Sequence, residues 1–542
     1  MSAPRASLRT AGTAAELARA VAAGLAEAGS GTVFGVPGGG NNLELVGAAE
    51  AAGLRFVLAH GEGAAAIMAA TYAELTGVPS ACVVTRGPGA ASVVNGVAHA
   101  LLDRQPLLVV TDTVGAADRV RISHQQLDQP ALLGGVTKWS AVLGGDCPEE
   151  TVRTALAVAR QPRPGPVHLD FDPGASGPAP APPAPLPSSG DMAAAAALLA
   201  RAHRPVLLAG VGARPFEAAL RALVRGTQVP VLMTYKAKGV VPDSWPNAAG
   251  LLTGATAEAG VLRAADLIVA VGVDAVELIP NPWPYPAAVL SLGEWPEDHP
   301  YFEPACELVG ETGARLGELA AHLREDWPEE SGRMARLEVA ARLERAGAES
   351  PSGGASPYEV VEGARRGAPP GSPATVDAGA HMLVAMPLWD AEAPGELLVS
   401  SGLATMGFAL PAAIASALAA PGRRTVCLTG DGGLEMQLAE LETAVRLRLP
   451  ITVVVFNDST LSLIAIKQRP QGHGGAGAVR YRDSDFAAIA AGFGMEAVHA
   501  AGGAEVTAAV QRSMGASGPL LVDVRVDPSS YPQILDAIRG AR

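Results

Sequence analysis

The sequence predicts an α/β protein whose domains are mostly parallel sheets flanked by helices, and three observations carry that prediction. Short runs of small apolar and β-branched residues alternate with helix-like stretches along all 542 residues. A proline-rich stretch at 172–190, DPGASGPAPAPPAPLPSSG, cannot build a core and reads as a stiff linker. A second break near 345–374 has SPSGGASP and GAPPGSP flanking one short amphipathic helix. A chain of this length exceeds a single core, and domains of roughly 100–200 residues suggest about three. The expected division is 1–171, a linker at 172–190, 191–330, a connecting segment at 331–374, and 375–542.

In the first block RFVLA is strand-like, GAAAIMAATYAELTG helical, and SACVVT and PLLVVTD strand-like again. In the middle block RPVLLAG, DLIVAVG and AAVLSLG read as strands. In the last, ATVDAG, TVCLTG, ITVVVFN and PLLVDVRV do. No short repeat is present, although the first and last blocks could be two copies of one α/β plan.

Composition bounds the function. Forty basic against 54 acidic residues give a net charge of −14, which argues against nucleic acid or an anionic membrane as the main partner. Cys82, Cys147, Cys306 and Cys427 form no C-x-x-C pair, and two sit in apolar runs where Cys acts as a small hydrophobe. Disulfides and zinc are not indicated, and a reducing cytoplasm fits. The first twenty residues lack the apolar core of a signal peptide. No stretch reads as a membrane span.

The chemistry concentrates at TVCLTGDGGL, 425–434, and LPITVVVFNDST, 449–460. One apolar run stops at Gly430-Asp431-Gly432-Gly433 and the next at Asn457-Asp458. Between them, in LEMQLAELETAVRLR at 434–448, Leu434, Leu438, Leu441 and Val445 recur at helical spacing. A strand–helix–strand unit makes the strands parallel and puts both acids on one edge, where ligands of such sheets bind. Two hard oxygen ligands suit Mg²⁺ or Ca²⁺, and Mg²⁺ completes its shell with phosphate oxygens and water. The glycines allow close backbone approach, and the following helix start favours anions. Either acid alone reads as a helix cap or a turn residue; the pair, with its glycines, points to a metal-held diphosphate.

G-D-G, a helix, an apolar strand, then N-D resembles the cofactor motif of thiamine-diphosphate (ThDP) enzymes. The resemblance implies that Asp431, Asp458 and the backbone carbonyl of Thr460 hold Mg²⁺, with Gly430, Gly432, Gly433 and Leu461 in the cofactor-binding stretch. It also implies an acid for the pyrimidine ring. In HGEGAAAIMAATYAELTG, Glu62, Met68 and Tyr72 fit that pattern, although a helix-start acid stabilised by the dipole would look the same. TRGPGAASVVNGVAHALLDRQPL resembles the family's G-P-G segment, with Gly87, Pro88, Gly89, Asn95 and Pro106. The implied role of Glu62 is to hydrogen-bond the pyrimidine nitrogen and favour the imino tautomer that removes the thiazolium C2 proton. SSGLATMGFALPAA at 400–413 resembles a further family segment, which makes Met406 the wedge between the rings and Ala404 a backbone contact. DAGAH at 377–381 resembles a segment of acetolactate synthases in which the histidine, here His381, reaches the diphosphate; Ala380 replaces their Gln. SHQQLD at 123–128 resembles the synthases' A-F-Q-E-x-D, which implies that Gln125 faces the reacting centre. His124 is either a proton relay or structural. Lys138 and Lys467 are either carboxylate binders or solvated lysines.

The acetolactate synthase pattern has three departures. DLIVAVGVDAVELIPNPWPY has no Arg where synthases carry one for the second 2-oxo acid, Lys467 stands where they carry Trp, and AGLLTGATAEAG lacks their contact to FAD. FAD is therefore compatible with the plan but unsupported, and Gly210-x-Gly212 alone reads as a structural turn. The resemblance implies a ThDP- and Mg²⁺-dependent decarboxylase or carboligase of a 2-oxo acid, with a proton or a carbonyl compound as acceptor. True acetolactate synthase, making 2-acetolactate from pyruvate, is the alternative. A non-catalytic ThDP binder is the weakest reading, because Glu62 is present. The family plan also implies a homodimer or homotetramer with active sites between subunits.

Overall fold

Parallel strands buried on both faces need near-continuous apolar runs, and those runs form the strands of three sheets. The computed structural model describes residues 13–540, except 116–117, 145–146, 279–281, 298–300, 349, 352 and 469–475. Residues 1–12, on which most of the N-terminal reading rests, lie outside the described residues, as do 279–281 of the central segment. The chain divides into two compact units, one ending at Pro185 and one beginning at Leu186.

The first unit carries β1 (Thr32–Val36), β2 (Arg55–Leu58), β3 (Ser80–Val84), β4 (Leu107–Asp112), β5 (Trp139–Leu143) and β6 (Val167–Phe171). Their order is β2-β1-β3-β4-β6-β5, all parallel. The helix Glu62–Thr76 leaves the end of β2 and is buried continuously from Ala64 to Ala73. It crosses the helix Val94–Leu102 very closely. A Cβ built on Gly96 would lie 2.6 Å from the carbonyl oxygen of Gly63, so only glycine permits this approach.

The second unit holds two sheets. The first has β7 (Pro205–Ala209), β8 (Val231–Met233), β9 (Ala248–Leu251), β10 (Leu267–Val271), β11 (Ala288–Gly293) and β12 (Cys306–Val309), ordered β12-β11-β10-β7-β8-β9. The second has β13 (Ala374–Val376), β14 (Leu397–Val399), β15 (Thr425–Gly430), β16 (Ile451–Asn457), β17 (Glu496–Ala500) and β18 (Leu520–Arg525), ordered β14-β13-β15-β16-β18-β17. Counted from its own first strand, this order is the same as that of β1–β6. The first and last blocks thus share one topology, as the sequence suggested they could.

The ten strand-like runs read from the sequence all form strands. The helix expected at 434–448 is split into Asp431–Glu435 and Glu440–Arg446. Gly432 and Gly433 give the first segment little helical propensity, so one turn forms and the chain re-enters helix at Glu440.

Inside the second unit, a buried ion pair ties the segment after β8 to the one after the helix Met382–Leu388. Lys238 Nζ lies 3.2 Å from Asp243 Oδ2 and donates to the Met386 carbonyl at 3.0 Å. The Ala391 amide donates to the same Asp243 oxygen at 2.9 Å. Removing one partner strands a buried charge, so Lys238→Ala is expected to lower stability by about 3–5 kcal/mol. Thermal unfolding of the full chain checks this, and an unchanged midpoint would show that the pair clamps nothing.

Candidate active site

The register Gly430↔Phe456 ends β15 and β16 level with each other. That register is what brings Asp431 and Asp458 together. Asp431 is 4% exposed and opens the helix after β15. Its Oδ2 accepts from the Asp458 and Ser459 amides at 3.0 and 2.6 Å. Its Oδ1 accepts from the Gly432 amide at 2.7 Å and the Tyr481 hydroxyl at 2.5 Å. Asp458 Oδ1 accepts from the Thr460 amide at 3.0 Å, and Oδ2 from the Ser462 hydroxyl at 2.6 Å. Burial, and then the neighbouring Asp431 charge, push the Asp458 carboxyl up to about 7. Burial also raises Asp431 against its four hydrogen bonds.

Both acids line a cavity of about 250 Å³ together with His381, Ala404, Met406, Gly430, Gly432, Gly433, Thr460 and Leu461. His381 is buried, stacks on Phe456 with ring centroids 4.8 Å apart, and is pushed down to about 4 by burial. Its Nε2 is buried without a partner. Gly433 must lack a side chain, because a Cβ there would lie 2.6 Å from Asp377 Oδ2. A Cβ on Gly432 would lie 2.9 Å from the Tyr481 hydroxyl and 3.7 Å from Met406 Cε.

These residues fit a magnesium-held diphosphate. The donors are hard oxygens, as Mg²⁺ prefers. Two adjacent carboxylates, Asp431 buried and Asp458 half-buried, resist joint ionisation, and a divalent cation relieves that repulsion. The unpartnered His381 nitrogen supplies a hydrogen-bonding group on the same cavity.

Two residues of this half carried no sequence assignment. Asp377 follows β13, and its Oδ1 accepts from the Ala378 and Gly407 amides at 2.8 and 2.9 Å. It thereby fixes the backbone beside Met406. Its position at the end of β13, beside the sheet's switch point between β13 and β15, was the available signal. Tyr481 had none, since it reaches Asp431 from an irregular stretch far along the chain.

In the first unit Glu62 is the first residue of its helix and half-buried. A Cβ built on Gly89 would sit 3.5 Å from Glu62 Oε1, which puts the G-P-G segment beside that carboxylate. Gly87 has φ +68, and a Cβ on it would lie 2.7 Å from the Gln125 carbonyl oxygen. The Gly87 amide donates to Gln129 Oε1 at 2.9 Å. The structure therefore groups Glu62, Gly87, Pro88 and Gln125 at one edge of this sheet. His124, Gln125, Pro88 and Asn95 are exposed. Lys138 is occupied, donating to the Val158 and Gln161 carbonyls at 2.7 and 2.8 Å, and burial lowers it to about 8. Lys467 is exposed.

In the first sheet of the second unit, the amides of the Gly210-x-Gly212 turn serve the protein itself. Gly210 and Gly212 donate to the Val271 and Gly272 carbonyls, and Val211 to Glu277 Oε2.

Three family models match the chain: the N-terminal TPP binding domain of thiamine pyrophosphate enzymes over 15–132, their central domain over 192–318, and their C-terminal TPP binding domain over 377–524. An acetolactate synthase of Bacillus subtilis (strain 168) is 30% identical over 535 residues, covering 93% of this chain and 92% of that one. The acetolactate synthase isozyme 2 large subunit of Escherichia coli (strain K12) is 30% identical over 517 residues, covering 92% and 93%. A probable 2-ketoarginine decarboxylase of Pseudomonas aeruginosa is 28% identical over 530 residues, covering 92% of each. Among the described residues, no helix is long and apolar enough to cross a membrane.

Proposed function

Because this chain belongs to the ThDP-dependent enzymes, as a carboligase/decarboxylase of the acetolactate synthase-like kind, we propose that it releases CO₂ from a 2-oxo acid and passes the acyl unit to a proton or a carbonyl acceptor. The observation that carries this reading is the Asp431–Asp458 pair in one cavity with His381. When bound, ThDP supplies the nucleophilic carbon and the electron sink that this bond cleavage needs.

The chain's own residues do the rest. Asp431, Asp458 and the Thr460 carbonyl would hold Mg²⁺, and His381 and the amides near Gly432 would hold the diphosphate. Met406, on backbone fixed by Asp377, would support the rings. Glu62 would share a proton with the pyrimidine nitrogen. Gln125, with His124 beside it, faces the reacting carbonyl. The shared plan of the two ThDP-binding segments supports a homodimer or homotetramer in which Glu62 and Asp431 come from different subunits, and the four free cysteines fit a reducing cytoplasm. The relatives support acetolactate synthase itself as a second reading, which predicts 2-acetolactate from pyruvate. The occupied amides of the Gly210-x-Gly212 turn, with the AGLLTGATAEAG segment, favour a reaction run without FAD.

The deciding experiment is a screen of 2-oxo acids with ThDP and Mg²⁺, following CO₂ and product mass. CO₂ release that needs both additions supports the reading; none from any acid overturns it, and 2-acetolactate selects the synthase.

Metal affinity should depend on pH. Asp458 titrates near 7 in the metal-free fold, above its unfolded value of 3.8. The metal-free fold therefore loses stability as pH rises from about 4 to about 7, where the unfolded carboxyl is ionised and the folded one is not, and that loss is absent toward pH 4. Mg²⁺ needs the ionised form, so its apparent affinity should fall about tenfold per unit below pH 7. Calorimetric titration of Mg²⁺ with ThDP at pH 6 and 8 checks this; equal affinities would contradict it.

A further inference from the structure

We propose that Arg86 recognises a second anionic group on the substrates, a carboxylate other than the one lost as CO₂. This rests on the proposed function and adds the substrate class. Arg86 lies between the end of β3 and Gly87, in the loop whose Gly89 abuts Glu62 and whose Gly87 abuts Gln125. It therefore stands at the edge where the first unit gathers its catalytic candidates.

The guanidinium has five donors, and few are used. Among the described residues its ion-pair partner is Asp112, with Nη1 3.6 Å from Oδ2, too long for a hydrogen bond. Its Nε is buried and has no acceptor. Asp112 cannot close the gap freely. It is 1% exposed, its Oδ1 accepts from Asn41 Nδ2 at 2.8 Å, and the Gly40 backbone packs against Oδ2. Asp112 thus orients the arginine without saturating it, and 29% of the Arg86 side chain remains exposed. A planar cation held in this way matches a carboxylate that can accept two N–H groups side by side.

The chemistry selects which carboxylate. The reacting carboxylate leaves as neutral CO₂, so a fixed cation on it would hold the ground state more tightly than the transition state and slow the reaction. An anion elsewhere keeps its charge throughout and gains orientation at no such loss. That anion is carried at the far end of the donor or on the acceptor.

The test uses the protein loaded with ThDP and Mg²⁺. Donors are compared as 2-oxoglutarate against 2-oxobutanoate. Acceptors are compared as succinic semialdehyde against butanal, with pyruvate as donor. The pair that shows the preference identifies which substrate carries the anion. Wild type should favour the member with the extra carboxylate. Arg86→Gln should lower that preference about tenfold to a hundredfold, through KM, and Arg86→Lys should restore part of it. A parallel calorimetric titration with glutarate and butyrate reads the same selectivity without turnover. Glutarate selectivity in wild type that Arg86→Gln erases supports the proposal. Absent selectivity, or selectivity that survives Arg86→Gln, overturns it. Selectivity lost in the variant, from a protein that decarboxylates no 2-oxo acid, overturns the proposed function and leaves Arg86 as an anion site.

Discussion

Glu62→Gln is expected to keep ThDP bound and to lose turnover by about a hundredfold to ten-thousandfold. Gln has the same length and can still hydrogen-bond a ring nitrogen, so the cofactor keeps its contact. It cannot share a proton, so the step that depends on moving one fails. The side chain opens the helix Glu62–Thr76, whose next turns are buried to near zero exposure. The substitution therefore changes the head of a fixed element and should leave the thermal midpoint in place. Three measurements separate the outcomes: ThDP affinity, turnover at saturating ThDP, and the rate at which the C2 proton of bound ThDP exchanges with deuterated water. Slow exchange with normal affinity is the expected pattern. Full turnover would remove Glu62 from the mechanism, and lost affinity would make it a binding residue instead.

Much of the plan was legible because its physics is local. β15 and β16 are buried along their full length apart from half-buried Gly430, so each had to be an unbroken apolar run, and each stops at an acid. Most of the ten strands read from the sequence are buried, near-continuous apolar runs of this kind; Arg55–Leu58, at the sheet edge, is only partly buried. The others gave weaker signals. Val231–Met233 and Leu397–Val399 are three residues long, and Glu496–Ala500 is an edge strand with partly exposed faces. The carboxylate pair was legible for the same reason as its strands, because a parallel crossover fixes which ends meet. Tyr481 was not legible as a site residue, since its contact depends on where a loop returns, and Asp377 offered only its place at the end of β13. The arrangement of Arg86 and Asp112 was equally hidden. It depends on β3 and β4 lying side by side, which no pattern in either segment states.

Asp431→Ala is the second large effect, because one carboxylate serves both the fold and the proposed metal. Its removal deletes a hard oxygen ligand and leaves the Asp458 and Ser459 amides and the Tyr481 hydroxyl without their acceptor. Metal-dependent retention of ThDP should be lost, and turnover with it. Loss alone would not separate a metal ligand from a structural hub, so two companions are needed. Tyr481→Phe removes one hydrogen bond to Asp431 and keeps both carboxylates; it should cost about 1–2 kcal/mol of stability and retain Mg²⁺-dependent binding. Asp458→Asn removes the charge that Asp431 repels. It should stabilise the metal-free fold above pH 7, because the carboxylate it replaces is raised there and ionises at a cost, yet it should weaken Mg²⁺. A variant that is more stable without metal and worse at holding ThDP with it cannot be explained by damage to the fold. Unchanged retention of ThDP in Asp431→Ala would remove the metal from this edge of the sheet.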